Sequence, residues 1–183
     1  MAPRGEVEAA VDVIERNGTP RRLITVLHCT TEYPAPMQDV NLRAMLSMKA
    51  AFGVEVGYSD HTPGIEIPVA AVALGATIIE KHFTLDRNGG GPDDSFSLEP
   101  ADMAALCHGA KTAWAALGRV DYGRKSSEQG NAQFRRSLYF VATGKAGDLI
   151  TADMVRSVRP GFGLPPKMLD QVIGKRLSCD VHY

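Results

Sequence analysis

Three β-rich apolar runs, at residues 23–28, 54–58 and 76–81, alternate with segments of helical spacing. That alternation leaves few folds open to the chain. A strand, a helix and a further strand at this pitch build a parallel sheet by crossover connections. The helical stretches are 6–16, with Val7, Val11 and Ile14 on one face, then 40–52, 65–74 and 101–117. Asn17-Gly18-Thr19-Pro20 stops the first and Gly53 the second. The 23–27 and 76–79 runs are nearly apolar throughout, as suits strands covered on both faces. Three strands do not close a barrel, and a helix comes before the first of them. The expectation is part of a longer α/β protein whose missing part lies N-terminal.

Composition narrows the function classes. The chain has 183 residues, 44% hydrophobic residues and a formal net charge of −1. Near-zero charge gives no electrostatic case for a nucleic-acid or membrane partner. No apolar run reaches the roughly 20 residues that span a bilayer, and the N-terminus lacks the apolar core of a secretory signal. Cys29, Cys107 and Cys179 are widely spaced and odd in number. They read as reduced thiols of a cytoplasmic protein.

After Gly118 the texture changes. Residues 124–131 are polar and read as a connection. Short strand-like pieces follow at 137–142 and 154–158, separated by glycine-rich turns. The expected organisation is an α/β domain over 1–120, a linker over 121–134 and a small, mostly β domain over 135–183.

The chemistry gathers at strand ends. His61 closes Gly57-Tyr58-Ser59-Asp60-His61-Thr62, and His82 lies in Glu80-Lys81-His82-Phe83-Thr84. In a parallel α/β fold the C-terminal ends of neighbouring strands build the site. Two imidazoles delivered there can share one Mn, Fe or Zn ion and leave positions for water and substrate oxygens. A single histidine in such a place more often caps a strand with a hydrogen bond; the pair makes the two readings about equal. Asp60 and Glu80 are candidate orienters of the rings. The Gly89-Gly90-Gly91-Pro92-Asp93-Asp94 loop frees the backbone to approach a ligand, with Asp93 as an acceptor for sugar hydroxyls. No Gly-Lys-Ser/Thr follows it, so it is not a phosphate-binding P-loop. His28-Cys29-Thr30-Thr31-Glu32-Tyr33-Pro34 ends the first run, and Arg159 precedes Pro160-Gly161 in an exposed-looking loop. No nucleophilic triad stands out. These residues support a metal-assisted reaction on a small polar substrate.

These strings, together with Gly-Pro-Asp at 91–93, Arg-Arg-Ser-Leu-Tyr at 135–139, Arg-Pro-Gly at 159–161 and Ile-Gly-Lys at 173–175, resemble the sialic acid synthase family. Its members are phosphoenolpyruvate-dependent synthases of nonulosonic acids. The match runs in order through essentially the whole chain. It implies the C-terminal portion of a (β/α)8 TIM barrel followed by a truncated SAF, or antifreeze-like, domain.

The resemblance further implies a transferase that joins phosphoenolpyruvate to the open-chain aldehyde of an N-acylated hexosamine and releases phosphate. It assigns His61 and His82 to a divalent metal, typically Mn2+, that polarises the aldehyde oxygen. Ser59 matches a phosphoenolpyruvate contact, and Tyr33 and Asp93 match sugar contacts. Thr31 stands where relatives often carry Asn. Arg159 matches an arginine inserted over the barrel of a partner subunit, which makes a homodimer part of the site. The family's phosphoenolpyruvate-binding lysines and water-handling glutamate fall on earlier strands, so these 183 residues alone are expected to be inactive. Residues 90–100, 122–123 and 135–139 lean towards pseudaminate synthases, and 28–62 towards N-acetylneuraminate or legionaminate synthases. A non-catalytic carbohydrate-binding remnant is the alternative of a different class.

Overall fold

A computed structural model describes residues 2–183, Ala132 by its backbone alone. It divides into two units, 1–119 and 120–183.

The first unit runs α1 (Arg4–Arg16), β1 (Thr25–Cys29), α2 (Arg43–Phe52), β2 (Glu55–Asp60), α3 (Glu66–Ala73), β3 (Ile79–Lys81) and α4 (Pro100–Leu117). The three strands form one parallel sheet in the order β1-β2-β3. Successive side chains of a strand point to opposite faces. Val56 and Tyr58 of β2 enter a core with Val40, Met45, Ala71 and Ala76 on the helix side. Val54 joins Val11, Ile24 and Phe52 beside it. Gly57 points the other way, where a Cβ would lie 2.4 Å from Leu27 Cδ2 and 2.7 Å from the Ile78 carbonyl oxygen. Only glycine lets the three strands lie this close there. α3 is apolar around most of its surface because it is sandwiched between β2 and α4. Gly109 keeps the two helices close, since a Cβ there would come within 3.0 Å of Val69 Cγ2.

Three expected elements begin late, each for a local reason. The first strand starts at Thr25 because residues after Pro20 form a 3-10 turn, Arg21–Leu23, that leaves Leu23 exposed. Arg21 in that turn donates to the Phe52 carbonyl and pairs with Asp12 and Glu15. α2 starts at Arg43, since Asn41 adopts a left-handed φ of 49° that helix cannot accommodate. β3 is trimmed to Ile79–Lys81, although backbone bonds from Thr77 N to Val56 O and from Tyr58 N to Ile78 O continue its pairing.

The second unit pairs β4 (Ser137–Phe140) with β5 (Val155–Val158) in antiparallel register, followed by the short α5 (Leu169–Val172). Its core is Ile150, Met154, Val155 and Leu177. Residues Ser126–Phe134, within the segment expected to be a plain connection, wind into 3-10 turns. Among the described residues no helix is long and apolar enough to cross a membrane.

Candidate active site

β2 and β3 end side by side. Ser59 is the register partner of Glu80, and Asp60 of Lys81; the residues that follow on the two strands are His61 and His82. Strand alternation sorts these pairs onto two faces. Asp60 and Lys81 share the helix face with Tyr58. Ser59, Glu80 and the two histidines share the other.

His61 is 5% exposed and held at both ends. Its Nδ1 lies 2.8 Å from the Thr30 carbonyl oxygen. A carbonyl only accepts, so Nδ1 carries a proton, and the tautomer with its lone pair at Nε2 is the one this bond selects for metal binding. Its backbone carbonyl accepts from Ala35 N at 2.8 Å. The segment after β1 therefore wraps this histidine, and Tyr33 in that segment lays its ring over the imidazole with centres 4.1 Å apart. Cys29 Sγ is 3.7 Å from the same Nδ1.

His82 is more open. Its carbonyl accepts from Leu98 N at 2.9 Å, which ties the strand end to the returning loop. Its Nδ1 faces Asp93 Oδ2 at 3.5 Å, too long for a direct hydrogen bond. Phe96 packs on it with ring centres 5.2 Å apart.

The two imidazoles stand 5.2 Å apart, centre to centre, at an interplanar angle of 71°. A cation about 2.1 Å from one nitrogen of each ring leaves the ring centres roughly 4.5–6.5 Å apart. In both rings Nδ1 faces a protein oxygen, the pattern by which outer partners orient metal-binding histidines. The donor chemistry thus fits a divalent cation held through two Nε2 atoms. Among the described residues no cluster of three or more His, Cys, Asp or Glu could hold a metal ion. A cation here would take its remaining ligands from water or substrate oxygens.

The other sequence candidates are placed as follows. Ser59 is 6% exposed and donates to Glu80 Oε1 at 2.7 Å. Tyr33 and Asp93 adjoin the histidines as described. Thr31 is exposed and lines a cavity of about 670 Å3 around the free edge of β1, whose lining includes neither histidine. Arg159 is exposed in the second unit. Its loop is anchored by buried Ser137, which donates to the Pro160 carbonyl at 2.6 Å and accepts from Gly163 N at 3.0 Å.

Two expectations are corrected. Asp60 does not orient His61: it lies on the opposite face, accepts from the Lys81 ammonium at 2.6 Å, and also accepts from Tyr58 Oη and Thr62 N. Burial, reinforced by the charge of Asp60 and by that bond, pushes the Tyr58 hydroxyl well above its ordinary pKa and keeps it a donor. Glu80 holds Ser59 rather than His82. The glycine-rich loop also has an internal explanation. A Cβ at Gly89 or Gly91 would press on the Asp94 carboxylate, which accepts from Gly91 N and from the Thr84 hydroxyl.

Sequence reasoning passed over Lys81, Phe96 and the carbonyl of Thr30. Lys81 was discoverable, because alternation puts a lysine between Glu80 and His82 on the buried face. The other two depend on how loops return.

The NeuB family matches residues 1–122 and the SAF domain matches residues 135–182. N,N'-diacetyllegionaminic acid synthase of Campylobacter jejuni is 47% identical over 176 residues, 96% of this chain and 53% of that protein. Pseudaminic acid synthase of the same species is 42% identical over 159 residues, covering 86% and 46%. A crystal structure of the N-acetylneuraminic acid synthetase of Leptospira borgpetersenii superposes with a TM-score of 0.66 at 38% identity, over 74% of this chain and 46% of that one. The chain spans about half the length of the curated relatives it matches. With its parallel α/β portion and its small antiparallel unit, this chain belongs to the NeuB family and carries a SAF domain.

Proposed function

We propose that this chain supplies the metal-holding portion of a transferase that condenses phosphoenolpyruvate with the aldehyde of an N-acylated hexosamine, forming a nonulosonic acid and releasing phosphate. The supporting observation is the His61–His82 pair, 5.2 Å apart, with each Nδ1 facing a protein oxygen. His61 and His82 would hold a divalent cation, Mn2+ in this proposal, through Nε2. When bound, the cation supplies Lewis-acid polarisation of a carbonyl oxygen. The Thr30 carbonyl fixes the His61 ring, and Asp93 stands beside the His82 ring at 3.5 Å. Tyr33 and Phe96 pack aromatic faces against the two imidazoles.

Ser59 is assigned to phosphoenolpyruvate, and Thr31, where relatives often carry Asn, to the substrate-binding residues without a named ligand. Tyr33 and Asp93 are assigned to the sugar. Arg159 is assigned to the site of a partner subunit, so the proposed enzyme is a homodimer. The proposed setting is cytoplasmic, on the wide spacing and odd number of the three cysteines. The strings leaning towards pseudaminate stand beside higher identity to a diacetyllegionaminic acid synthase, 47% against 42%. The substrate is therefore assigned at the level of nonulosonate precursors.

The test is a chimera in which this chain replaces the matching half of the Campylobacter jejuni diacetyllegionaminic acid synthase. Phosphate release that requires phosphoenolpyruvate, an N-acylated hexosamine and Mn2+, and is lost in His61→Ala, is expected. The 183-residue chain alone is expected to form no product. A folded chimera that releases no phosphate, or one that turns over sugar without phosphoenolpyruvate, contradicts the proposal. A purely carbohydrate-binding role predicts sugar affinity that is indifferent to both metal and His61→Ala.

A further inference from the structure

Lys81 and Asp60 form an ion pair whose side chains are 2% and 0% exposed, the deepest among the described residues. Neither residue has a role in the proposed reaction. Taking two charges out of water costs several kcal/mol per ion, and well-packed apolar residues in their place are often at least as stable. Stability alone is thus a poor account of this pair.

Its geometry offers a better one. Lys81 immediately precedes His82, and its ammonium donates to Asp60 Oδ2 at 2.6 Å and to the Thr62 carbonyl oxygen. Asp60 and Thr62 are the residues on either side of His61. Asp60 Oδ1 also accepts from Thr62 N at 3.0 Å, closing a turn around the His61 backbone, and from Tyr58 Oη at 3.1 Å, which fixes the carboxylate against the helix-side core. The neighbour of one histidine therefore grips both neighbours of the other. The register of β2 and β3 runs to Asp60 and Lys81, and the lysine clamp ties the strands together at the next step, where the two histidines stand.

We infer that Lys81 is a positioning residue whose ammonium, clamped across the two neighbours of His61, sets the spacing of the two imidazoles. Its ammonium is taken up by Asp60 and the Thr62 carbonyl, on the face opposite the two histidines. Its importance for function rests on the metal assignment proposed for His61 and His82.

The double variant Asp60→Asn/Lys81→Met removes both charges together, so no lone buried charge remains, and the amide oxygen can still accept from Thr62 N and Tyr58. Two readouts are made on the full chain: nuclear Overhauser contacts between the His61 and His82 ring protons without metal, and Mn2+ affinity by electron paramagnetic resonance. Expected are a folded protein melting near wild type, loss of the inter-ring contact, and Mn2+ affinity lowered about 10–100-fold, the usual effect of losing an outer-sphere partner. Asp60→Asn/Lys81→Gln, which shortens the arm but keeps a donor and leaves no lone charge, gives a milder second variant with the same expected direction. Wild-type inter-ring contacts in a folded variant overturn the inference, as does a lower melting temperature with ring geometry unchanged. Absence of Mn2+ binding by the wild type removes the metal assignment and leaves the ring-contact arm to decide the positioning role.

Discussion

The two faces of the same strand pair do different work. On the helix face, Val56, Tyr58 and Asp60 of β2 are buried, and Asp60 meets Lys81 in a pair closed to water. On the opposite face, Ser59–Glu80 and His61–His82 repeat the cross-strand pairing, but Glu80 is exposed and the His82 side chain is 29% exposed. One residue of offset separates a sealed charge from an accessible one. In the proposed enzyme such a strand end is held rigid from one face and leaves the histidine face open for chemistry.

This contrast can be broken first from the buried side. Asp60→Ala leaves the Lys81 ammonium buried without its carboxylate and is expected to cost about 3–5 kcal/mol in urea denaturation. A loss under about 1 kcal/mol contradicts the sealed-pair account. Gly57→Ala tests whether the other face is also packed further down the strand, where a Cβ meets the Ile78 backbone. About 1–3 kcal/mol of destabilisation is expected there, and a neutral result would mean that the strands separate easily. Ser59→Ala removes the corresponding bond on the accessible face, where water can satisfy Glu80. A loss of about 1 kcal/mol or less is expected, and a cost matching that of Asp60→Ala would erase the distinction between the faces.

The smallest effect lies in the loop that returns to His82. The Thr84 hydroxyl and the Gly91 amide hold the Asp94 carboxyl below its usual pKa. A carboxyl depressed in the folded state stabilises that state above the ordinary carboxylate range, and the contribution fades as pH falls through the folded value. Carbon-13 titration of Asp94 should give a midpoint under the usual value of about 3.9. A midpoint at or above it contradicts the loop's hydrogen bonding.

Much of this was legible in the residues. Helix and strand order followed from apolar spacing, and the histidine pair from its position after two consecutive runs. Alternation also separates Asp60 from His61, since adjacent residues of a strand face opposite ways. The glycine-rich loop suggested ligand approach, whereas its glycines accommodate Asp94. The tethers on His61 from Thr30 and Ala35 lie 31 and 26 positions away in the chain, and no local pattern encodes contacts made by a returning loop. The break in α2 depended on the left-handed Asn41, a backbone state that the apolar pattern around it conceals.

The most direct test is a Mn2+ titration of the 183-residue chain, followed by electron paramagnetic resonance, beside His61→Ala and His82→Ala. One saturable site in the wild type, lost in each single variant while both stay folded, is the predicted result. Mn2+ binding of equal strength in both variants, or no saturable binding by the folded wild type, contradicts the shared-cation account.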